Sequence, residues 1–264
     1  MNLQLTGRVA LVTGGSKGIG RAIVQALAEA GAQVAATARG TAALQQTALE
    51  LPGLEILTLA ADATDQEAVN SAVARVIEVY GKLDILVNNV GGAVKFGGFA
   101  DLTDRDWQRA FDLNVLSIVH FVRAAEPHLR QSKNGRIITI SSISGVQPGT
   151  FNPHYTATKA ATINLSKSLA NHFVKDHVLV NTVCPGPVHS ESWEDNVRRL
   201  ALERRIPAEE AWQQVEREES LKIPLGRVGD GEDIAGLVAF LASDKASWIT
   251  GSCFHVNGGK LATI

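Results

Sequence analysis

The stretch Arg8-Val-Ala-Leu-Val-Thr13, followed directly by Gly14-Gly-Ser-Lys-Gly18-Ile-Gly20, decides the fold of this chain. Its first half is a short apolar run rich in β-branched residues, which predicts a buried strand. Its second half is a glycine loop, and the helical pattern that follows ends at Gly31, a suitable C-cap. A strand, a glycine loop and a helix in this order offer backbone N–H groups and a helix N-terminus to a pyrophosphate. This placement predicts a dinucleotide site rather than a glycine-rich turn without function.

The second predicted strand, Gln33-Val-Ala-Ala-Thr-Ala38, bears on the identity of the cofactor. A dinucleotide fold usually places an acidic residue near the end of this strand, where it binds the adenosine ribose 2′-hydroxyl. No Asp or Glu occurs from Gly31 through Leu49; instead Arg39 follows the strand and Lys17 lies in the glycine loop. Two cations without a carboxylate suit a 2′-phosphate. The sequence therefore favours NADP(H) over NAD(H), with two ordinary surface cations as the alternative.

Further short apolar runs alternate with helical patterns along the rest of the chain. They lie at 54–60, 83–88, 135–140, 178–183 and 252–257. One long helix is predicted from Asp104 through Asn114 to His128, with Thr103 as a possible cap. This alternation predicts an α/β fold with a doubly wound parallel sheet and helices on both faces, in one domain covering 1–264. Mixed charged and apolar residues at about 187–225 predict two amphipathic helices, an insertion that could close over the site as a lid.

Composition narrows the classes of function. The chain has 264 residues, 45% of them hydrophobic, and a net charge of −2, which suits one large domain and argues against disorder or an electrostatic nucleic-acid binder. The spacing of Cys184 and Cys253 fits no common zinc motif, so we expect two buried thiols and no metal. The N-terminus has no signal-peptide pattern, and no apolar stretch is long enough to span a bilayer. We therefore expect a cytoplasmic protein without nucleic-acid or membrane partners.

A tyrosine and a lysine form the candidate catalytic pair. Lys159 follows Tyr155 by four residues within a helical pattern that begins at His154, so both side chains share one face. A phenol titrates near ~10 in water, and a neighbouring ammonium should lower that pKa toward the range useful for acid–base chemistry. Tyr-x-x-x-Lys alone is also compatible with a surface tyrosine and a solvated lysine. Polar residues at predicted strand ends, Asn88 and Ser142 among them, strengthen the catalytic interpretation.

Taken together, these residues resemble the short-chain dehydrogenase/reductase family over nearly the whole chain, from Thr13 to Gly259. The matching elements are Thr13-Gly14-x-x-x-Gly18-x-Gly20, Asp62, Asn88-Asn89-x-Gly91, Asn114, Ser142, Tyr155-x-x-x-Lys159, Asn181, Pro185-Gly186 and Val256-Asn257-Gly258-Gly259. Each element alone is weak evidence for the family, but all of them in this order are specific to it. The chain departs from the family pattern at Val90, where alanine is usual, at Ser190, where threonine is usual, and at Gly92, an extra glycine.

The resemblance implies a seven-stranded sheet and a Rossmann fold that binds NADP(H). It implies that the catalytic set is Asn114, Ser142, Tyr155 and Lys159. It implies that the cofactor is held by Thr13, Gly14, Ser16, Lys17, Gly18, Ile19, Gly20, Arg39, Asp62, Ala63, Asn88, Gly91, Tyr155, Lys159, Pro185, Gly186, Val188 and Ser190. It also implies a homotetramer, or a homodimer, built from the helices around Asn114 and Tyr155.

The implied activity is hydride transfer between NADP(H) and a carbonyl or secondary alcohol, in a ketone reductase or alcohol dehydrogenase similar to 3-oxoacyl reductases. Tyr155 would act as general acid or base and Ser142 would polarise the substrate oxygen. A non-catalytic NADP-binding sensor or scaffold remains the alternative, because one fold hosts many functions. Asn114 could instead be a satisfied core amide, Asp62 a plain helix cap, and His154 and His189 local structural residues.

Overall fold

The computed structural model describes residues 3–262. Its strands are β1 Val9–Thr13, β2 Gln33–Ala38, β3 Ile56–Ala60, β4 Ile85–Asn88, β5 Arg136–Ile140, β6 Leu179–Pro185 and β7 Cys253–Val256. They form one seven-stranded sheet in the order β3-β2-β1-β4-β5-β6-β7, and all neighbouring pairs are parallel. The predicted doubly wound parallel sheet is confirmed. The order reverses between β1 and β4, and ligands bind at such a switch point in open parallel sheets.

Helices cover both faces of the sheet. They are α1 Gly18–Glu29, α2 Thr41–Glu50, α3 Gln66–Tyr80, α4 Asp104–Phe111, α5 Ser117–Gln131, α6 Pro153–Phe173, α7 Glu191–Arg204, α8 Ala208–Ser220 and α9 Gly231–Ala242. On one face Ile23 of α1 and Val238 of α9 join the core, and on the other Val73 of α3 and Phe121 of α5 do so. Because both faces are covered, β1 and β4 are buried along their whole length, as their unbroken apolar runs predict.

The helix predicted from Asp104 to His128 is interrupted. Thr103 caps α4 as predicted, since its side chain accepts a hydrogen bond from the N–H of Asp106. A π-helical turn over Asp112–Leu116 then separates α4 from α5. Inside this turn the side chain of Asn114 donates to the carbonyl of Ala110, so an amide side chain competes with the regular backbone pairing there. Such a turn often marks a functional position.

The insertion after β6 contains the two predicted helices, α7 and α8. They pack on each other through a small apolar cluster that is separate from both faces of the sheet, with Trp193 and Val197 on α7 and Val215 on α8. Cys184 is buried as predicted, but the prediction for Cys253 is wrong because β7 lies at the edge of the sheet, where this residue is exposed. Within residues 3–262, none of the helices combines the length and apolarity that a membrane crossing requires.

Candidate active site

The glycine loop between β1 and α1 forms a close backbone cradle. Gly14 and Gly18 have φ of +66° and +50°, in the left-handed region that favours glycine. A β-carbon at Gly20 would lie 2.1 Å from the carbonyl oxygen of Gly14, so a side chain there would displace the loop. The N-cap of α1 is Lys17, whose side chain makes no capping hydrogen bond. The first N–H groups of α1 are therefore free to bind an anion such as a pyrophosphate.

Thr13 and Asn89 shape this cradle from within. The hydroxyl of Thr13 accepts hydrogen bonds from the N–H groups of Asn89 and Val90, at 2.9 and 3.1 Å. The side-chain amide of Asn89 donates to the carbonyl oxygens of Thr13 and Gly14, at 2.9 and 3.0 Å. These contacts join the end of β1 to the end of β4 across the switch point. Thr13 thus supports the loop. Asn89 supports it as well, although the sequence predicted this residue only as part of the Asn88-Asn89-x-Gly91 motif.

The cations predicted to bind a 2′-phosphate lie on the surface near the ends of β1 and β2. Lys17 and Arg39 are exposed, and β2 ends without a carboxylate. The Lys17 ammonium meets the Glu191 carboxylate at 3.0 Å, a contact that the sequence did not predict. Asp62 accepts hydrogen bonds from the N–H and hydroxyl of Thr64, and the backbone contact is the main reason that the Asp62 pKa is lowered. The cradle and these cations fit a dinucleotide that carries a 2′-phosphate.

Three more predicted cofactor residues lie around the cradle. The carbonyl of Ser16 accepts a hydrogen bond from the Thr47 hydroxyl of α2 at 2.8 Å, which fixes the tip of the loop. Ile19 is half-buried in the first turn of α1, and Ala63 is buried beyond β3. Their contact with a cofactor stays a prediction.

Ser142, Tyr155 and Lys159 lie together beyond the carboxyl end of β5. The Lys159 Nζ is 5.7 Å from the centroid of the Tyr155 ring, and it donates to the carbonyl of Ile140 at 3.0 Å. The Ser142 Oγ accepts a hydrogen bond from the N–H of Ser144 at 3.1 Å. This contact leaves the Ser142 hydroxyl proton free to donate, and the Ser142 side chain also hydrogen-bonds the Tyr155 phenol. Ser141 holds α6 in place, since its hydroxyl donates to the carbonyl of Lys159 at 2.9 Å.

The expected lowering of the Tyr155 pKa is not found in this structure. Burial raises the pKa of the phenol, and a hydrogen bond with the Ser142 side chain opposes only part of that rise. Burial also lowers the pKa of Lys159, from 10.5 to about 8. Desolvation disfavours the charged form of both groups, and it is the largest cause of both shifts. The prediction was wrong because it considered a shared helix face without the solvent exposure of that face.

Asn114 and Gly91 bring the end of β4 against α6. The Asn114 side chain is fully buried; its Oδ1 accepts from the N–H of Gly92 at 2.9 Å and its Nδ2 donates to the carbonyl of Gly92 at 3.1 Å. A β-carbon at Gly91 would lie 2.7 Å from the Asn114 Oδ1 and 2.9 Å from the Lys159 Nζ. Only glycine fits between these two groups. The structure thus places Asn114 beside Lys159, as the proposed catalytic set requires.

The segment after β6, from Gly186 to Ser190, lies beside the glycine loop. We call the space between this segment, the glycine loop and the end of β5 the crevice. Gly186 donates its N–H to the carbonyl of Val256 at 2.8 Å, and Val188 is buried where it pairs with Gly229. Ser190 caps α7 by accepting a hydrogen bond from the N–H of Trp193.

This segment also approaches the glycine loop directly. A β-carbon built at Gly18 would lie 3.4 Å from the β-carbon of Ser190. The start of α7 and the start of α1 are therefore neighbours, and Pro185 ends β6 just before this segment.

Buried polar groups without a partner mark two further positions. The side chain of Asn88, at the end of β4, has no protein partner for either its Oδ1 or its Nδ2, although both atoms are buried. Buried amides are nearly always satisfied, so this residue fits the predicted role of contacting a bound molecule or water. His154 is also fully buried, with both ring nitrogens unpaired and its ring in edge contact with Trp107. Burial lowers the pKa of His154, which therefore favours a neutral ring.

His189 takes part in a latch rather than standing free at the crevice. Its Nδ1 lies 2.8 Å from the Asp230 Oδ1 and its Nε2 lies 2.7 Å from the Glu216 Oε2. Its ring stacks on Trp212 of α8 and meets the edge of Trp193 of α7, with both centroid distances at 5.5 Å. We call these five residues the His189 latch. It joins the two lid helices to the start of α9.

The lid also contacts the loop after β4. The guanidinium of Arg199, on α7, lies over the rings of Phe96 and Phe151 at 5.7 and 5.4 Å from their centroids. The two rings stack on each other with centroids 6.5 Å apart. Cation–π contacts of this kind contribute about 0.5–2 kcal/mol each. We call these three residues the aromatic clasp, and sequence spacing does not reveal it because its members lie far apart in the chain.

Known proteins resemble this chain over its whole length. The family model described as Enoyl-(Acyl carrier protein) reductase matches residues 14–260. The 3-oxoacyl-(acyl-carrier-protein) reductase of Escherichia coli is 35% identical over 257 residues, which cover 97% of this chain and 98% of that protein. The sorbitol dehydrogenase of Cereibacter sphaeroides is 32% identical over 259 residues, with 98% and 99% covered. The structure of L-sorbose reductase from Gluconobacter frateurii, complexed with NADPH and L-sorbose, superposes with a TM-score of 0.93 at 32% identity and covers 100% of both chains.

Proposed function

This chain belongs to the short-chain dehydrogenase/reductase family and is an NADP(H)-dependent oxidoreductase of carbonyl or secondary alcohol substrates, and on that premise we propose how its residues divide the work. Ser142, Tyr155, Lys159 and Asn114 are the catalytic set. The observation that carries this assignment is their convergence beyond β5, opposite the glycine cradle.

NADP(H), when bound, supplies or accepts the hydride, and the protein holds and orients the reacting groups. The N-terminus of α1 binds the pyrophosphate, and Lys17 and Arg39 bind the 2′-phosphate. Asn88, Gly91, Asp62, Ala63 and the segment from Pro185 to Ser190 complete the binding surface.

In the reductive direction Tyr155 donates its phenolic proton to the oxygen of the substrate carbonyl as negative charge develops there. A raised phenol pKa keeps that proton in place until it is needed. Ser142 donates its hydroxyl proton to the same oxygen and polarises the carbonyl group. In the oxidative direction the same two groups hold the alcohol oxygen, and Tyr155 must first lose its proton.

Lys159 and Asn114 assist the proton transfer by the Tyr155 phenol. The Lys159 ammonium uses one of its three protons for the carbonyl of Ile140, so two remain for the nicotinamide ribose hydroxyls and for water. The π turn around Asn114 disrupts the regular α-helical pairing of its backbone carbonyls. We propose that a water bound there links Lys159 to solvent and returns a proton after each turnover.

The substrate is a ketone or the corresponding secondary alcohol, with 3-oxoacyl thioesters and ketoses as the two classes to compare. The first is the substrate class for which the Escherichia coli relative is named, and L-sorbose is bound in the structure of the Gluconobacter frateurii reductase. In this chain the aromatic clasp at Phe96, Phe151 and Arg199 borders the substrate side.

We also propose that the protein forms a homotetramer or a homodimer and is located in the cytoplasm. Phe111 and Leu116, beside the π turn, are apolar yet 38% and 41% exposed, as expected of residues that a second copy covers. Both cysteines are free thiols, as is usual in a reducing compartment.

The test is a spectrophotometric panel in which NADPH and NADH are compared with a 3-oxoacyl thioester and with ketoses, including L-sorbose. We expect turnover with NADPH to exceed turnover with NADH. Tight NADPH binding without oxidation across the panel would favour the non-catalytic alternative. A preference for NADH would overturn the roles given to Lys17 and Arg39.

A further inference from the structure

Two cysteines and a histidine meet at the edge of the sheet, outside the crevice. The Cys184 Sγ lies 3.3 Å from the Cys253 Sγ, and the Cys253 Sγ lies 3.8 Å from the His255 Nε2. All three potential ligand atoms lie within 4.8 Å of one another. No step of the proposed reaction uses these groups.

The register of the two edge strands brings the three residues together. Cys184 of β6 pairs with His255 of β7, and Cys253 lies two positions before His255 on the same strand. Successive side chains of a strand alternate between its faces, so residues two apart point the same way. All three side chains therefore lie on one face of the sheet. In the sequence the two cysteines are 69 positions apart, which is why no zinc motif is visible there.

We propose that Cys184, Cys253 and His255 bind one thiophilic divalent metal ion of the zinc class. Sulfur and imidazole nitrogen are the ligands that zinc prefers, with Zn–S near ~2.3 Å and Zn–N near ~2.0 Å in a tetrahedral arrangement. That geometry separates neighbouring ligand atoms by roughly 3.5–3.8 Å. The observed 3.3 and 3.8 Å therefore require only small rotations of the side chains. The three residues leave the fourth position to water or another ligand.

The kinds of ligand atom in the cluster determine which metal ions it prefers. It contains no carboxylate, so it offers nothing that Mg²⁺ or Ca²⁺ would prefer over water. Cys253 and His255 are exposed and give the ion a path to the buried Cys184. Both thiols are free, and binding of the metal releases their two protons, so affinity should increase with pH.

The experiment uses the untagged full-length protein, reduced and free of oxygen, titrated with Co²⁺ and then with Zn²⁺. We expect one Co²⁺ per chain, with the near-ultraviolet thiolate-to-cobalt charge-transfer absorption, and loss of that absorption when Zn²⁺ replaces Co²⁺. Cys253→Ser and His255→Gln should each weaken binding at least about tenfold, since even residues that only support a ligand cost that much. His128→Gln, which changes a histidine of α5 outside the cluster, should bind as the native chain does.

An ordinary contact between two thiols is the competing explanation. The absence of charge-transfer absorption at one equivalent of Co²⁺ would overturn the proposal, as would a band of native strength in Cys253→Ser. The absorption reports metal binding even in a protein with no turnover, so failure of this proposal is distinguishable from failure of the proposed function.

Discussion

The catalytic face of α6 and the lid formed by α7 and α8 are stabilised in different ways. On α6 the side chains of Thr158 and Thr162 are fully buried, and Lys159 is only 4% exposed. The lid has its own small apolar cluster and a set of surface ion pairs, such as that between Arg204 of α7 and Glu218 of α8. The first region belongs to the core of the domain, whereas the second region packs mainly on itself.

This difference in packing favours a fixed geometry for α6 and greater mobility for α7 and α8. The ion pair that joins α7 to the glycine loop, between Lys17 and Glu191, is exposed and contributes only about 0–1 kcal/mol. Removing a buried group of α6 from its partners costs more, because an unsatisfied buried donor or acceptor alone costs about 1–3 kcal/mol. We therefore propose that the catalytic geometry persists while α7 and α8 act as a lid that admits and releases substrate. Changes to α6 should act on chemistry and stability, and changes to the lid should act on binding and its pH dependence.

The largest effect is expected from Tyr155→Phe, which removes the proposed proton donor and leaves the ring. A positioned acid contributes about 10²–10⁴-fold, so turnover should fall by at least about 10²-fold while NADPH still binds. Steady-state kinetics and a fluorescence titration with NADPH measure the two quantities. Tyr80→Phe, which changes the other tyrosine of the chain, is the matched control and should keep native turnover. Similar turnover in both variants would remove Tyr155 from the catalytic set.

Lys159→Met tests whether the catalytic face carries a buried charge at a cost to stability. In the folded chain burial lowers the Lys159 pKa to about 8, so between about 8 and its ordinary 10.5 the unfolded chain binds more protons. The free energy of unfolding of the native chain should therefore rise relative to that of the variant across this pH window, by up to about 3 kcal/mol.

Urea denaturation of both chains at several pH values measures this difference. Lys175→Met changes an exposed lysine and should show no such trend. A difference between native chain and Lys159→Met that stays constant from pH 8 to 10.5 would contradict the buried ammonium.

His189→Gln tests the latch of the lid. Burial alone would lower the His189 pKa, but hydrogen bonds to Glu216 and Asp230 outweigh it and raise the pKa above its ordinary 6.5. The charged latch therefore stabilises the packing of α7 and α8 against the start of α9 fully below pH 6.5, and this contribution is lost as pH rises through the folded-state pKa of His189. Tryptophan fluorescence should report this, because Trp193 and Trp212 contact the ring.

We expect a fluorescence transition centred above pH 6.5 in the native chain and none in the variant. His172→Gln, on α6 outside the lid, should retain the transition. A transition that survives in His189→Gln would show that another group controls the lid.

The smallest effect is expected from Glu191→Gln. Glu191 shares the Lys17 ammonium with the proposed 2′-phosphate, and both side chains are more than half exposed. Removing the competing carboxylate should strengthen NADPH binding by up to about fivefold, the range of one surface ion pair, and leave NADH binding unchanged. Glu194→Gln in the same first turn of α7 is the control. Equal gains for both cofactors would indicate a general change in the lid rather than competition at Lys17.

Local patterns predicted the elements of this protein well. The strand and helix at the glycine loop were predicted because an apolar β-branched run, positive-φ glycines and a helical pattern are all properties of neighbouring residues. The two lid helices were predicted for the same reason. The long helix through Asn114 was predicted without its π turn, because the helical pattern does not reveal that the Asn114 side chain bonds Ala110 and also Gly92, which is 22 positions away.

The sequence by itself determined the order of strands and helices, the glycine cradle and the helical spacing of Tyr155 and Lys159. It also determined the two cations, Lys17 in the glycine loop and Arg39 after β2. The tertiary structure alone decided the direction of the Tyr155 pKa shift, the pairing of Lys17 with Glu191, the His189 latch and the meeting of Cys184 with Cys253. The reason is physical. Spacing along one helix or strand fixes which side chains share a face, whereas desolvation and contacts between distant residues arise only when the sheet places separate segments side by side.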